Sequence, residues 1–582
     1  MFYGKLVTCI FWLAIVVTKI FYFSCFFLAY PIICAILVVM YIDISKSGKY
    51  RRVLLRESYR QDGKVKKRTI ANISKCSDES IAILQLALRN ADKLPEILRN
   101  HAEMGISHGK SVGAVFVAAE IARRTGIAKA LGCGRQPELA LWQIIARLID
   151  QGSRLSAVRL HQTHALAEVI GLEKGFCEDD LYKNLAWLSD NQAEIEDRLF
   201  KARHQDQQVD LFLYDVTSSY LEGTQNELGN YGYNRDGKKG KMQIVIGLLC
   251  DQQGDPVSVQ VFSGNTSDVT TFGDQIKKVA DRFGCKRITF VGDRGMIKSA
   301  QKEELTETGF SYITALTRKQ IETLEKKGII QLGLFDEDLC EVEKDGLRYI
   351  LRRNPYRADD IAATRSSKQA KIQKLIEKKN VYLTAHPKAQ VKTALREINS
   401  KIEKLNCKWL NIETQGRKIS PLVDTDMLTE ISRLDGCYVI TTNLPAEAVT
   451  AQQAHAYYKD LSKVERAFRE SKTGHLELRP IHVRKEKSTR GHVFVVMLAY
   501  LLRRKLERAW DKIDVTMEEG LDCLTTLSSV DMGLVGDIKI EQIPRATGLC
   551  EELLDALELT LPTKILPIPL NVSTKVKTRK RS

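Results

Sequence analysis

The sequence has no Cys-x-x-Cys pair and no His/Cys cluster at zinc-ligand spacing. Its 13 cysteines fall singly, which excludes a zinc finger and a disulfide framework and points to a reducing cytosol. An excess of acid is also missing. The formal charge is +16, so the expected partner is a polyanion, either nucleic acid or an anionic membrane surface. The apolar run from His492 to Leu502 is too short to span a bilayer and is expected as a buried helix backing a sheet. What is present, 44% hydrophobic and 27% charged over 582 residues, is ordinary globular composition with ample core for several domains.

Residues 1–39 stand apart. Leu6 to Thr18 and Ile20 to Tyr41 are almost uninterrupted apolar runs, the second about long enough to cross a bilayer. Either this is a membrane anchor or signal-like segment, or translation begins at Met40, where the pattern turns at once basic and turn-punctuated; the later start is favoured. From Met40, alternating runs broken by Lys-Ser-Gly-Lys and Gln-Asp-Gly-Lys predict a basic β meander over 40–75. Such a sheet can grip phosphates or simply keep its edge soluble.

Helical periodicity follows over 76–207, as in Ser111 to Ile127 and Glu138 to Asp150, with Gly126, Gly132 and Gly171 at helix ends. Arg123, Arg124, Arg154 and Arg159 are expected to be exposed, and short helices carrying them are compatible with a DNA-reading domain. After Gln208 the period changes. Val209-Asp-Leu-Phe-Leu-Tyr-Asp215-Val-Thr, Met242 to Cys250 and Pro256 to Phe262 read as three antiparallel strands, Thr271 to Phe283 as a helix, and Arg287 to Asp293 as a further strand. Two strands thus deliver Asp215 and Asp293 at the same end.

That order of elements is the order of a ribonuclease-H-like fold, with acids where such a fold coordinates Mg²⁺. A hard divalent ion prefers carboxylate oxygens and keeps several waters, so a few acids from different elements suffice. Two ions roughly 3.5–4 Å apart can activate a water or a 3′-hydroxyl and stabilise the leaving oxygen of an in-line phosphoryl displacement. A third carboxylate is required, and Glu465 supplies it. Read as one helix at about 100° per residue, Tyr457 to Lys472 places Tyr458, Glu465, Arg469 and Lys472 within an arc of roughly 60°. Leu461, Val464 and Phe468 form the adjacent apolar stripe.

Asp215 in Tyr-Asp-Val-Thr, Asp293 in Gly-Asp-Arg-Gly-Met, and Glu465 followed seven positions on by Lys472 resemble the DDE transposases of bacterial insertion sequences. The match is closest to the insertion-sequence-4 superfamily, whose helix signature is Tyr, two residues, Arg, three residues, Glu, six residues, Lys. Tyr458, Glu465 and Lys472 are in register with it; Leu461 stands at the Arg position, a departure that Arg469 would have to make good. Phe262-Ser-Gly-Asn-Thr-Ser-Asp268, Val464-Glu-Arg-Ala-Phe-Arg469 and Leu478-Arg-Pro-Ile-His482 resemble the insertion-sequence-1634-like branch. The likeness spans about residues 40–560.

The resemblance implies a transposase that cleaves DNA at the inverted-repeat ends of its element and transfers the 3′ ends into target DNA. Asp215, Asp293 and Glu465 would be the catalytic residues and would hold two Mg²⁺ ions, Mn²⁺ substituting. Tyr458, Arg469, Lys472 and Arg294 would contact DNA. It also implies a homodimer in the synaptic complex, a cytoplasmic, nucleoid-associated location unless residues 1–39 anchor the chain to a membrane, and no small-molecule substrate. The alternatives are a catalytically decayed DNA-binding relative and a general metal-dependent nuclease of the same fold.

The 172 positions between Asp293 and Glu465 predict an insertion over 318–444. Within it lie a hairpin at Leu339–Glu343 and Leu347–Leu351, helices at Ser366–Lys378 and Val391–Leu405, and the strand Tyr438–Asn443 leading back. Ser311 to Leu316 is expected to finish the sheet. The predicted fold is therefore α/β: a ribonuclease-H-like catalytic domain over 208–317 and 445–512, interrupted by the insertion, preceded by the helical domain and followed by residues 513–582 with a basic tail at Lys575–Arg581.

Overall fold

The computed structural model describes residues 40–47, 50–61, 64–89, 106–204, 209–283, 288–473, 476–534, 538–565, 568, 570 and 572. The apolar segment 1–39 and the basic tail lie outside these. Among the described residues no helix is long and apolar enough to cross a membrane. The chain divides into two compact units, one of residues 1–109 and 530–542, the other of 110–529 and 543–582.

In the first unit, strands β1 (Met40–Ser47), β2 (Tyr50–Gln61) and β3 (Lys64–Asn72) form the expected antiparallel meander, in register from Met40↔Glu57 to Ser47↔Tyr50 and at Gln61↔Lys64. Val53 and Leu54 are buried, and so is Ile81 of the helix Asp78–Arg89 that packs on β1, whereas Lys64, Lys66, Lys67 and Arg68 of β3 face solvent. Burial is thus concentrated on the central strand β2, and the cations on the edge strand β3.

The second unit is mixed α/β. After β4 (Ile106–Ser111) come the helices Gly113–Arg124, Ile127–Leu131, Arg135–Ile149, Arg154–Thr163, Leu166–Ile170 and Glu178–Arg203. Gly126, Gly132 and Gly171 take positive φ at helix ends, as their spacing predicts. Arg123, Arg124 and Arg159 are exposed, but Arg154 is not. It is buried, its guanidinium turned inward onto Gln143 and His492, because the helix it opens lies against the helical core rather than on the surface.

The strands β5 (Leu211–Tyr220), β6 (Gln243–Asp251), β7 (Pro256–Ser263), β8 (Thr289–Gly292), β9 (Ser311–Ala315), β10 (Cys340–Lys344), β11 (Leu347–Arg353) and, past a separate hairpin of β12 (Leu410–Gln415) and β13 (Lys418–Val423), β14 (Cys437–Thr442) follow. They build an eight-stranded sheet in the order β10-β11-β14-β9-β8-β5-β6-β7. β5, β6 and β7 are antiparallel, and β5, β8 and β9 run parallel. The sheet does not finish at β9. β14 pairs with it antiparallel (Ile440↔Ala315), and the predicted hairpin adds β11 and β10 beyond. Arg348, buried on β11, seals this extension by donating to the carbonyls of Leu444 and Val449 at 2.9 and 2.8 Å. The helices Pro355–Ala385 and Val391–Leu405 instead pack with β12 and β13 around a core of their own, including Ile372, Ile398 and Trp409.

The apolar run expected as a buried helix lies within Glu486–Ala509, which packs on Arg135–Ile149, Glu178–Arg203 and β7. Gly491 permits the crossing, since a Cβ there would lie 2.0 Å from the Leu185 carbonyl oxygen. A small sheet, order β16-β15-β4, of β15 (Ser528–Leu534), β16 (Ile538–Gln542) and β4, falls mostly in the first unit.

Candidate active site

Leu211, Phe212, Leu213 and Tyr214 are all buried, the apolar run of a strand covered on both faces, and the chain turns polar at Asp215. The parallel neighbour β8 is in register Tyr214↔Gly292, so the next residues, Asp215 and Asp293, emerge side by side. Asp293 opens a turn, with the Met296 N–H donating to its carbonyl at 3.0 Å. Each carboxylate accepts the N–H of the residue after it on Oδ1, Val216 for Asp215 and Arg294 for Asp293, both at 2.8 Å. Among the described residues no donor faces either Oδ2.

The third acid comes from a helix shorter than its periodicity predicts. The segment from Tyr457 to Lys472 is not one helix: Ala451–Lys459 ends at Asp460, and Leu461–Lys472 begins after it. The side chain of Asp460 pairs with Lys463 at 3.0 Å, one turn into the second helix, and Leu461 turns into the core at the break. Tyr458 therefore lies on a different helix from Glu465, and a common helical arc does not relate them. In the second helix Leu461, Val464, Ala467 and Phe468 are buried, while Glu465 and Arg469 are exposed.

Two attachments place this helix over the sheet. The β6–β7 turn is one. Lys463 donates to the Gln252 carbonyl at 2.8 Å, and its Cβ sits 2.6 Å from where a side chain on Gly254 would begin. That turn is itself clamped, Asp255 meeting Arg203 and Arg508. The other attachment is Lys472, buried at the helix's C-terminal end. Its ammonium donates to Thr217 Oγ1 at 2.6 Å and Asp236 Oδ1 at 3.0 Å. Thr217 is two residues beyond Asp215 and so on the same face of β5.

The electrostatics tie the three acids together. Burial, then the charges of Asp293 and Glu465, push the Asp215 carboxyl up to about 7 against the opposing pull of the Val216 N–H and Arg235. Burial and the Asp293 charge raise the Tyr458 hydroxyl, which donates to Asp293 Oδ1 at 3.4 Å. Burial lowers the Lys472 ammonium, and Asp236 opposes the shift.

A cation suits this donor set. Among the described residues no three His, Cys, Asp or Glu side chains are gathered tightly enough to enclose an ion. Yet a carboxylate whose charge is disfavoured by two neighbouring acids is what a hard divalent cation relieves, and both Oδ2 atoms are open to one. The chemistry of the donors fits; closure around an ion would require the acids to draw inward.

Of the other residues singled out in the sequence, Arg294 is exposed beside Asp293, and Arg469 is exposed with no ion pair among the described residues. Lys472, expected at DNA phosphates, is engaged internally. Sequence reasoning missed Asp236, whose side chain is buried and accepts from Lys472, Arg479 and the Tyr220 N–H, and Arg235, which pairs with Asp268 at 2.6 Å. Both sit in Asn234-Arg-Asp-Gly237, a stretch that reads as a solvated turn and carries no signal of burial.

The family profile described as "Transposase DDE domain" matches residues 207–502, and that described as "IS1634 family transposase, N-terminal domain" matches residues 42–99. A solved structure of a piggyBac transposase synaptic complex with hairpin DNA is similar at 10% identity and a TM-score of 0.34, covering 70% of this chain and 76% of that one, a likeness too slight to argue from. No curated protein matches significantly.

Proposed function

The chain belongs to the IS1634 family of DDE transposases, DNA-cleaving enzymes, and we propose that Asp215, Asp293 and Glu465 are its catalytic carboxylates. The observation that carries this reading is the Tyr214↔Gly292 register, which sets two acids side by side, together with the Glu465 charge felt at Asp215. DDE enzymes use divalent metal ions, and here Asp215, Asp293 and Glu465 would hold them, two Mg²⁺ ions with Mn²⁺ as a substitute. When bound, such ions supply activation of a water or 3′-hydroxyl and charge neutralisation at the phosphate.

The chain's own residues then do the rest. Tyr458 orients Asp293 through its hydroxyl, and Lys472 and Asp236 hold the Glu465 helix at its far end. Arg469 and Arg294, both exposed beside the acids, bind phosphates of the transposon end and of the target DNA, whereas Tyr458 and Lys472 act within the protein, on Asp293 and on the Glu465 helix. The catalytic domain is ribonuclease-H-like, over 208–317 and 445–512, with 318–444 inserted and returning to the same sheet through β10, β11 and β14. Residues 40–75 and the helices of 76–207 contribute DNA binding, and 513–582 form a C-terminal region. Two copies join in the synaptic complex, in the cytoplasm at the nucleoid.

The test is protein begun at Met40, incubated with Mg²⁺ and a labelled duplex carrying the element's end, beside Asp293→Asn. Nicking at the 3′ end by the wild type alone, followed by joined products with target DNA, is expected. Binding without cutting by the wild type would overturn the catalytic assignment, and cutting without joined products would make the chain a nuclease.

A further inference from the structure

Resting on the transposase reading, we propose that the cavity bordered by Arg147, Arg154, Arg479 and His482 is an oxyanion site that takes one phosphate of the DNA backbone. The cavity, about 280 Å³, lies between the helices Arg135–Ile149 and Arg154–Thr163 and the segment that carries Leu478-Arg-Pro-Ile-His482, a motif without a role in the carboxylate chemistry. Its walls hold two guanidiniums that a folded protein rarely leaves in this state. Arg147 is 6% exposed and Arg154 5%, and among the described residues neither forms an ion pair. Arg154 donates to Gln143 Oε1 at 2.7 Å and to His492 Nδ1 at 2.8 Å, both uncharged partners. Arg147 donates to the Gln151 carbonyl, and its buried Nε has no hydrogen-bond partner among the described residues.

A buried charge without a counter-charge is strongly disfavoured, so this pair calls for an anion. Among the described residues no acid pairs with either guanidinium. Asp150 and Glu477 are felt at Arg147 only through space, and Glu477 is exposed. His492 adds no further positive charge, because burial and the two guanidiniums hold its imidazole neutral, its pKa well below the usual range. Burial and Arg147 likewise disfavour the charged form of Arg154. Gly152 and Ser153 bring the N-terminal end of the ten-residue helix Arg154–Thr163 to the same cavity, adding its positive end, with Ser153 capping the Ser156 N–H.

A phosphate is the oxyanion that fits. The guanidinium fork matches its geometry, and the cavity, bordered also by half-buried Arg479, exposed His482 and one exposed acid, Glu477, admits one tetrahedral group with a few waters. Arg479 also pairs with Asp236, the acid that holds Lys472, so the occupied cavity would abut the C-terminal end of the Glu465 helix.

The experiment measures binding of the full chain to the element-end duplex in EDTA, where no cutting occurs, across a range of NaCl concentrations. Wild type is compared with Arg147→Gln, Arg154→Lys and the rim variant His482→Gln, with a melting curve for each. Arg147→Gln should bind about ten-fold more weakly and lose about 1 from the slope of log K against log salt, equally for all sequences. His482→Gln, exposed and safe for folding, should show the same loss in smaller measure. One methylphosphonate position in the duplex should reproduce the loss in wild type and add nothing in Arg147→Gln. Inorganic phosphate is added in a second arm at matched ionic strength. If it raised the Tm of wild type but not of Arg147→Gln while DNA slopes stayed equal, the DNA source would be overturned in favour of free phosphate. Equal affinity and slope in every variant that melts like the wild type, with no response to phosphate, would overturn the site. Failure of the catalytic reading is a separate outcome: wild type that binds in EDTA but never cuts in Mg²⁺.

Discussion

Two regions meet at the candidate site, the parallel strands β5 and β8 and the helix Leu461–Lys472, and their acids are held by different means. Asp215 and Asp293 follow from strand register. Once Tyr214 lies opposite Gly292, the next residue on each strand has one place to go, and a slip of one residue would exchange the side chains that β5 sends into its two cores, Leu211 and Leu213 on one face and Phe212 and Tyr214 on the other. Glu465 has no such rail. Its position depends on Lys463 against the β6–β7 turn, on Lys472 with Asp236, and on an apolar stripe that fixes rotation but allows sliding. The strand acids should be hard to displace and the helix acid easy, which makes the helix the part that can draw in when substrate and ions arrive.

Removing any of the three carboxylates should erase that difference. Asp293→Asn, Asp215→Asn and Glu465→Gln should each lower Mg²⁺-dependent cleavage by about 10³-fold or more, roughly 4 kcal/mol of barrier, with duplex binding retained. Glu470→Gln, one turn beyond Glu465 and paired with Arg466, should spare cleavage. A cleavage gel with all four variants decides it, and a Glu465→Gln enzyme that cuts normally would remove the helix from the chemistry.

Displacing the helix alone is a finer probe. Gly254→Val forces a side chain toward Lys463 from a backbone at φ +79°, and should cost about 10- to 100-fold in cleavage while strand positions and DNA affinity hold. Loss of binding and folding along with activity would mean that turn and sheet are one structural piece.

The metal-free pH dependence probes the strand pair. Asp215 titrates near 7 in the folded protein and in the ordinary carboxylate range when unfolded, so the folded state binds the extra proton between these values. Its contribution to stability is present at low pH and lost as pH climbs through 7. In EDTA, Asp215→Asn should therefore gain on wild type between about pH 5 and pH 8, by about 2 °C or more in Tm, and Mg²⁺ should close the gap. A gap that does not change with pH would mean the carboxyl is not crowded by its neighbours.

Tyr458→Phe should have the smallest effect, about three-fold or less in cleavage, because a 3.4 Å hydrogen bond to Asp293 is weak and the strand already holds that acid. A larger loss would mean that Tyr458 meets DNA directly.

Much of this was legible residue by residue. Val209 to Thr217 anticipates β5, Met242 to Cys250 anticipates β6, and Val391 to Leu405 is the helix observed, because burial of one face writes a period into the residues themselves. The acids were legible for a related reason: each follows an apolar run and breaks it, although β5 does not end near Asp215 as expected but continues to Tyr220 along β6. Other features left no local mark. The helix break at Asp460 interrupts a run whose periodicity is continuous. The place of β14 beside β9 depends on pairing across more than a hundred intervening residues. Arg154 reads as one more surface arginine, yet it is buried with neutral partners.

The chain's own order of residues thus settled the kinds of elements, the spacing of Asp215, Asp293 and Glu465, and the family, since periodicity and motif are properties of neighbouring positions. Which acid stands beside which, that Lys472 turns inward to Asp236, and that Arg147 and Arg154 share a cavity were settled by packing. Those relations join residues from 7 to 236 positions apart, and only the closing of the core brings such side chains within reach of one another.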